Sequence, residues 1–385
     1  MAIIGHNFFS VSFDLIVYDQ IMLYDLYVNS SSQENREKYV KIYPKGEILA
    51  LDDLKSFKKK YFQLYVHETQ RKEYLKSLVQ LDSIDVTEKT EIIKSSAIVY
   101  LDKLFDKDKE FTTEVLSETI LDCKVAVESM VEVIKDYDVS QIQNLIGSLS
   151  FHDFYTYDHS VNVSMYCIAL YKAYNPKAST EEVVIAGLGG LLHDIGKINI
   201  ATDIINNPDK LTDAEFDIIK NHPTYGFDLL TASHCENCQG VNIEHIKRIV
   251  HEHHENFNGT GYPAKIQGDN IYIYARITAI ADFFDAITTK RSYHEVLSTE
   301  DALQVMSKTV GKKLDPELFQ LFTQNVKQLV INGKINKELP DEFDPCQPHN
   351  VLPFRNPKPV FKVEGFGVND KEQKPNFGKI KKKAG

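Results

Sequence analysis

The spacing of apolar and polar positions changes twice along the chain. From Phe8 to about Tyr43 apolar and aromatic residues partly alternate, as in "FSVSFDLIVYDQIMLYDLYVN", and predict half-buried strands. "LDDLKSFKKKYFQLYVHETQRKEYLKSL" then predicts helix from Leu51 or Asp52. Residues 1–85 therefore read as a small α+β regulatory module. Beyond them the period lengthens to threes and fours, as in "SETILDCKVAVESMVEVIKDY", and residues 86–145 read as a helical linker or stalk that offers a dimer surface. From about 146 to 338 helix is predicted throughout. Ser179 with Glu182, and Thr212 with Glu215, have the spacing of capping boxes, and Asp315-Pro316 reads as a cap followed by a first helical position. The last zone, 339–385, holds seven of the 13 prolines and ends in "GKIKKKAG"; an extended, basic, solvated extension is expected there.

Composition narrows the class. With 43% apolar and 26% charged residues the chain is ordinary globular protein, long enough for two or three domains. No stretch approaches the roughly 20 continuous apolar residues of a membrane span, and "MAIIGHNFFS" lacks the features of a signal peptide. A soluble, cytoplasmic protein is expected. The net charge of −11 argues against a sequence-independent hold on DNA or RNA, while leaving room for a small phosphorylated ligand. The odd, scattered set Cys123, Cys167, Cys235, Cys238 and Cys346 fits a reducing compartment, and the CxxC at 235–238 has no second CxxC to complete a zinc site.

Histidines supply the candidate chemistry. Nine of the 13 fall between His152 and His254. "LLHDIGK" places His193 and Asp194 at the end of an apolar helix, with Gly196 to end it. Neighbouring helical residues point about 100° apart, so such a pair reaches one ion only near a helix end or where a second helix meets the first. His159 lies in "YTYDHSVNV", and His222 in "IIKNHPTYG" before a proline that ends or bends its helix. His253 and His254 end a helix that begins near Asn242. Asp282 sits in the apolar "ITAIADFFDAITT", where an unpaired buried carboxylate is costly. Imidazole and carboxylate delivered from apolar backgrounds suit zinc, iron, manganese and similar divalent ions.

Taken together, "HD" at 193–194, "HHENFNGTGYP" at 253–263 and the flanking "HDIGK", "NHP" and "ADFFDA" segments resemble the HD-GYP domain, a subgroup of the HD metal-dependent phosphohydrolases, over about residues 150–330. The resemblance implies a mainly α fold with an all-α HD-type domain. It implies two or three metal ions, and hydrolysis of the bacterial messenger cyclic di-GMP to linear pGpG, in some members on to GMP. Carried over, the ligands are His159, His193, Asp194, His222, His253, His254 and Asp282. His159, His193, Asp194 and Asp282 would surround one ion, and His222, His253 and His254 the other, with Asp194 bridging. Iron is the expected metal, with manganese or zinc as alternatives. Two ions about 3.5–4 Å apart lower the pKa of a shared water from 15.7 toward 7, and a bridging hydroxide attacks phosphorus in line. Asp194 and Lys197 are then catalytic, with Lys197 also facing phosphate. Arg291 would grip phosphate or guanine with a two-pronged bond, and Tyr262 would border the substrate. The Gly-Tyr-Pro loop is the expected contact for diguanylate cyclase (GGDEF) partners.

Asp285, one turn after Asp282, reads equally as a partner that orients a ligand histidine or as a helix-end ion pair. His152, His245 and His251 match no ligand position. Two positions depart from the family pattern. Tyr155 replaces the glutamate that holds a third metal, which predicts a binuclear site. Asn258 replaces an aspartate and removes a charge that could orient a histidine or the loop. These departures keep a second reading open, a catalytically weak adaptor that binds metal and nucleotide and acts through partners.

Overall fold

The computed structural model describes residues 7–31, 38–81, 84–105, 112–149, 155–205, 211–232, 240–289, 297–326, 339 and 344. Four strands, β1 (Phe8–Val11), β2 (Leu26–Asn29), β3 (Tyr39–Tyr43) and β4 (Leu64–His67), form an antiparallel sheet in the order β1-β4-β2-β3. The helix expected from Leu51 onward is interrupted. Helix α1 (Leu51–Lys60) ends after three lysines, which suit a helix C-terminus, and β4 follows before α2 (Arg71–Val79). The reason is tertiary. Leu64 and Val66 alternate with Tyr65 and His67, both apolar side chains are fully buried, and β4 finds backbone partners on β1 and β2. In α2, Tyr74 faces the sheet while Leu75 and Leu78 face the helical core, so this helix joins the two.

The helical part begins with α3 (Val86–Phe105), α4 (Thr113–Val133) and α5 (Val139–Ser148). The first two pack against each other and against α6 (Tyr155–Tyr174) and α7 (Thr180–Leu192), within one apolar core. Residues expected to form a linker thus line the same core as the helices after them. Every residue of α7 from Val183 to Leu192 is buried, and each aliphatic side chain there contributes about 1.5–3 kcal/mol of burial. The capping boxes at Ser179/Glu182 and Thr212/Glu215 form with both hydrogen bonds, and Asp315 caps its helix through Glu317 and Leu318. After α7 come α8 (Thr202–Ile205), α9 (Asp213–Ile219), α10 (His222–Ala232), α11 (Ile243–Glu252), α12 (Ile273–Thr288), α13 (Thr299–Ser307) and α14 (Pro316–Asn325). No helix among the described residues is long and apolar enough to cross a membrane. Cys123 and Cys167 are free and buried; Cys235, Cys238 and Cys346 lie outside the described residues.

Candidate metal centre

Five helices deliver the predicted ligands to one buried place. His159 is in the first turns of α6 and Asp282 is in the middle of α12. His193 caps the C-terminal end of α7, after which a 3-10 turn (Ile195–Asn199) redirects the chain and frees Asp194 from the helix direction. Gly196 does not act as the left-handed helix stop expected of it. It lets this turn lie against α10: a Cβ there would stand 1.9 Å from the His222 carbonyl oxygen. His222 opens α10 rather than ending a helix, because Pro223 fits a first turn, whose N–H has no partner to lose. His253 and His254 follow the end of α11. All seven ligand candidates are at most 7% exposed.

Three imidazoles are anchored alike. Nδ1 of His193, His222 and His253 donates to the carbonyl oxygen of Gly190, Ile219 and Val250, at 2.7, 2.8 and 2.8 Å. This fixes the tautomer and leaves each Nε2 as an inward lone pair. His159 turns Nδ1 to Asp285 Oδ2 at 2.7 Å, and Asp285 Oδ1 is held by Asn162 (3.0 Å) and Thr289 (2.6 Å). Asp285 therefore holds the His159 imidazole in one orientation. Asp194 extends its two oxygens to His193 Nε2 (3.2 Å) and His222 Nε2 (3.3 Å), and Asp282 Oδ1 lies 3.0 Å from His159 Nε2.

The donor set fits divalent cations. The ligand atoms form two groups, each within 4.8 Å: Asp194, His222, His253 and His254, and His159, His193 and Asp194. Asp194 belongs to both. His222 Nε2 and His253 Nε2 face each other at 3.1 Å, two lone pairs that repel unless a cation or proton lies between them. His193 Nε2 and Asp282 Oδ2 are buried without a hydrogen bond. Burial, together with neighbouring imidazoles, holds His253 and His254 well below the usual histidine range. Burial outweighs Asp194 at His222 and pushes it down to about 4. Neutral imidazole is the form that binds metal. At Asp194 burial opposes ionisation but is overcome by His193, Lys197 and His222, which hold the carboxyl well below its ordinary value. At Asp282 burial is likewise overcome, by His159. His159 itself moves the other way: burial disfavours its charge, but Asp282 and Asp285 push it up to about 9.

Around this centre, Lys197 Nζ contacts Asp194 Oδ2 at 2.6 Å. The Tyr262 ring stacks on His254, with centroids 5.0 Å apart. Gly261 makes that approach possible, since a Cβ there would lie 2.1 Å from Asn256 N and 2.5 Å from the His254 carbonyl oxygen. Glu255, buried beside the ligands, accepts the N–H groups of Ala264 (2.6 Å) and Ile266 (3.0 Å) and so clamps the loop. Arg291 and His152 lie outside the described residues, as does the side chain of Tyr155. His245 bonds the Tyr272 hydroxyl and His251 packs on Phe227, both outside the ligand groups. Asn258 is exposed, and its Oδ1 accepts from the N–H and hydroxyl of Thr260. It shapes its own turn, so Asn258→Asp is expected to change kcat/KM for a bound phosphodiester by less than about twofold, within the ±0.5 kcal/mol of surface changes; steady-state kinetics checks this.

Sequence reasoning missed Asp344, which it placed in a solvated extension. Asp344 is 9% exposed, accepts from the Tyr262 hydroxyl at 3.0 Å, and lies 4.0 Å from His254 Nδ1. With His253, His254 and Asp282 it borders a cavity of only 40 Å³. Nothing in the local pattern around Asp344, a proline-rich stretch, marks it as a site residue.

Residues 150–318 match the family model described as HD domain. The chain is 38% identical over 175 residues to a cyclic di-GMP phosphodiesterase of Pseudomonas aeruginosa, covering 45% of this chain and 40% of that protein. It is 32% identical over 200 residues to a 3′3′-cGAMP-specific phosphodiesterase of Vibrio cholerae, covering 52% and 36%. It is 36% identical over 151 residues to the cyclic di-GMP phosphodiesterase response regulator RpfG of Xanthomonas campestris, covering 39% of each. The chain thus spans less than half the length of these relatives. Among solved structures, an HDG"Y"P protein from Bdellovibrio bacteriovorus shares the fold with a TM-score of 0.51 and 19% identity, over 83% of this chain and 100% of that one. With the two groups of candidate ligands and the Gly-Tyr-Pro loop beside them, these matches identify residues 150–318 as an HD domain that resembles the HD-GYP kind.

Proposed function

We propose that this chain is a metal-dependent phosphodiesterase that opens cyclic di-GMP to linear pGpG. One observation carries the reading: two buried ligand groups share Asp194, the arrangement that two adjacent cations need. Asp194, His222, His253 and His254 would hold one ion, and His159, His193, Asp194 and Asp282 the other, iron being the expected metal and manganese or zinc the alternatives. When bound, such a pair activates water at neutral pH and stabilises charge on phosphoryl oxygens. The chain's own residues do the rest. The carbonyl-anchored histidines and the Asp285–His159 pair hold the ligands in fixed orientation. Lys197, beside Asp194, neutralises a non-bridging phosphate oxygen. Tyr262 borders the path to His254, and Arg291 grips phosphate or guanine. Relatives named for cyclic di-GMP and for 3′3′-cGAMP both act on cyclic dinucleotides, which supports the substrate class. The Gly-Tyr-Pro loop is the proposed contact for diguanylate cyclases.

Asp344 borders the proposed metal centre, 4.0 Å from His254 Nδ1, and its carboxylate would repel the phosphates of a substrate. Asp344→Ala is expected to raise kcat/KM about three- to tenfold, the scale of roughly 1 kcal/mol for one charge pair. Steady-state kinetics on cyclic di-GMP reads this directly.

The function itself is tested by incubating purified protein, loaded with ferrous iron or manganese, with cyclic di-GMP or 3′3′-cGAMP and separating products by chromatography. The expected result is pGpG from cyclic di-GMP, formed faster than product from 3′3′-cGAMP. Retained nucleotide binding without turnover would favour the adaptor reading instead.

A further inference from the structure

A buried ion pair joins a residue outside the HD-domain match to one beside the proposed metal centre. Lys94, on α3, places Nζ 2.6 Å from Asp158 Oδ1, and both side chains are 2% exposed. Asp158 directly precedes His159. Two turns further along α3, Asp102 Oδ1 accepts the Tyr157 hydroxyl at 3.2 Å. One helix thus grips consecutive residues of α6, Tyr157 and Asp158, immediately before a proposed ligand.

Stability alone does not account for this pair. Apolar residues of similar volume commonly match or exceed a buried ion pair, because two charges must leave water. What the pair supplies and apolar packing does not is register: a directional bond fixes both the rotation of α6 and its position along its axis. His159 needs that, because metal ligation tolerates errors of only about 0.2 Å. On its far side His159 is held by Asp285 on α12, so α6 must sit correctly between α3 and α12. The same α3 also meets the N-terminal sheet: Arg71 lies 3.8 Å over the Phe9 ring and donates to Ser96 Oγ at 3.2 Å, two residues after Lys94.

We infer that Lys94 is a positioning residue for the metal centre, acting through Asp158 on His159, so that residues preceding the HD domain complete its site. The inference rests on the metal-centre reading of the ligand cluster.

The test uses the full chain with Lys94→Met, Lys94→Arg, and the double variant Lys94→Met/Asp158→Asn. Three quantities are read: manganese affinity by chelator competition, the melting temperature without metal, and amide exchange across α6. Lys94→Met is expected to lower manganese affinity about ten- to a hundredfold, the usual effect of removing a partner behind a ligand. Lys94→Arg should stay near wild type. The double variant leaves no uncompensated charge; it should recover the melting temperature yet keep the weak affinity and show faster exchange near residues 157–161. If Lys94→Met does not fold, the double variant carries the test. Wild-type manganese affinity in the double variant would overturn the inference, since the pair would then matter only for stability. Wild-type protein that binds no manganese would defeat the metal-centre reading, and amide exchange, which needs no metal, would still decide the role of Lys94: unchanged exchange in the double variant overturns it.

Discussion

Replacing His193 and Asp194 together by alanine is expected to lower kcat for cyclic di-GMP at least about a thousandfold, the cost of removing a main charge-stabilising element from such a reaction. Asp194 belongs to both ligand groups, so its loss breaks the shared contact as well as one ligand of each. Loss of His193 as well leaves the other group with only His159 and, beside it, Asp282. Lys197 also loses the carboxylate it contacts at 2.6 Å. Both side chains are buried, so the variant's far-ultraviolet circular dichroism must be compared with wild type before kinetics are read. Retained turnover in a folded variant would separate the activity from these residues.

Metal removal has the second large effect. Any ion that binds only the folded chain stabilises it by RT ln(1 + [L]/Kd), about 4 kcal/mol at a thousandfold excess over Kd for one site. At about 2–4 °C per kcal/mol for domains of 150–250 residues, chelation should lower the melting temperature by about 8–16 °C per site. The local reason is visible at the site. Without a cation, the His222 and His253 lone pairs oppose each other at 3.1 Å, and His193 Nε2 and Asp282 Oδ2 are buried without a hydrogen bond among the described residues. Differential scanning fluorimetry with and without chelator measures the change. Identical melting curves after verified metal loading would contradict it.

The candidate ligands that the structure brings together stood out in the sequence because they come from largely apolar helices. Asp282 lies in "ITAIADFFDAITT" and His193 ends "GLGGLL", and such residues stay buried only with partners. Helix caps were legible because their chemistry is local, as at Ser179 and Thr212. What was not legible depends on partners distant in sequence. Strand β4 sits in a stretch with helical character and becomes a strand because β1 and β2 supply its hydrogen bonds. His222 starts a helix rather than ending one, since a proline permits both and packing against Gly196 decides. Asp344 reaches Tyr262 across 82 positions, and Lys94 reaches Asp158 across the intervening α4 and α5. The Asn258 side chain is held by Thr260 within the loop.

The most direct test of the account is the rate of pGpG formation as metal-free protein is titrated with ferrous iron or manganese. The account predicts negligible turnover without metal and a rate that rises to a plateau at two equivalents. Full turnover in metal-free protein, or a plateau at one equivalent, would contradict the paired centre built around Asp194.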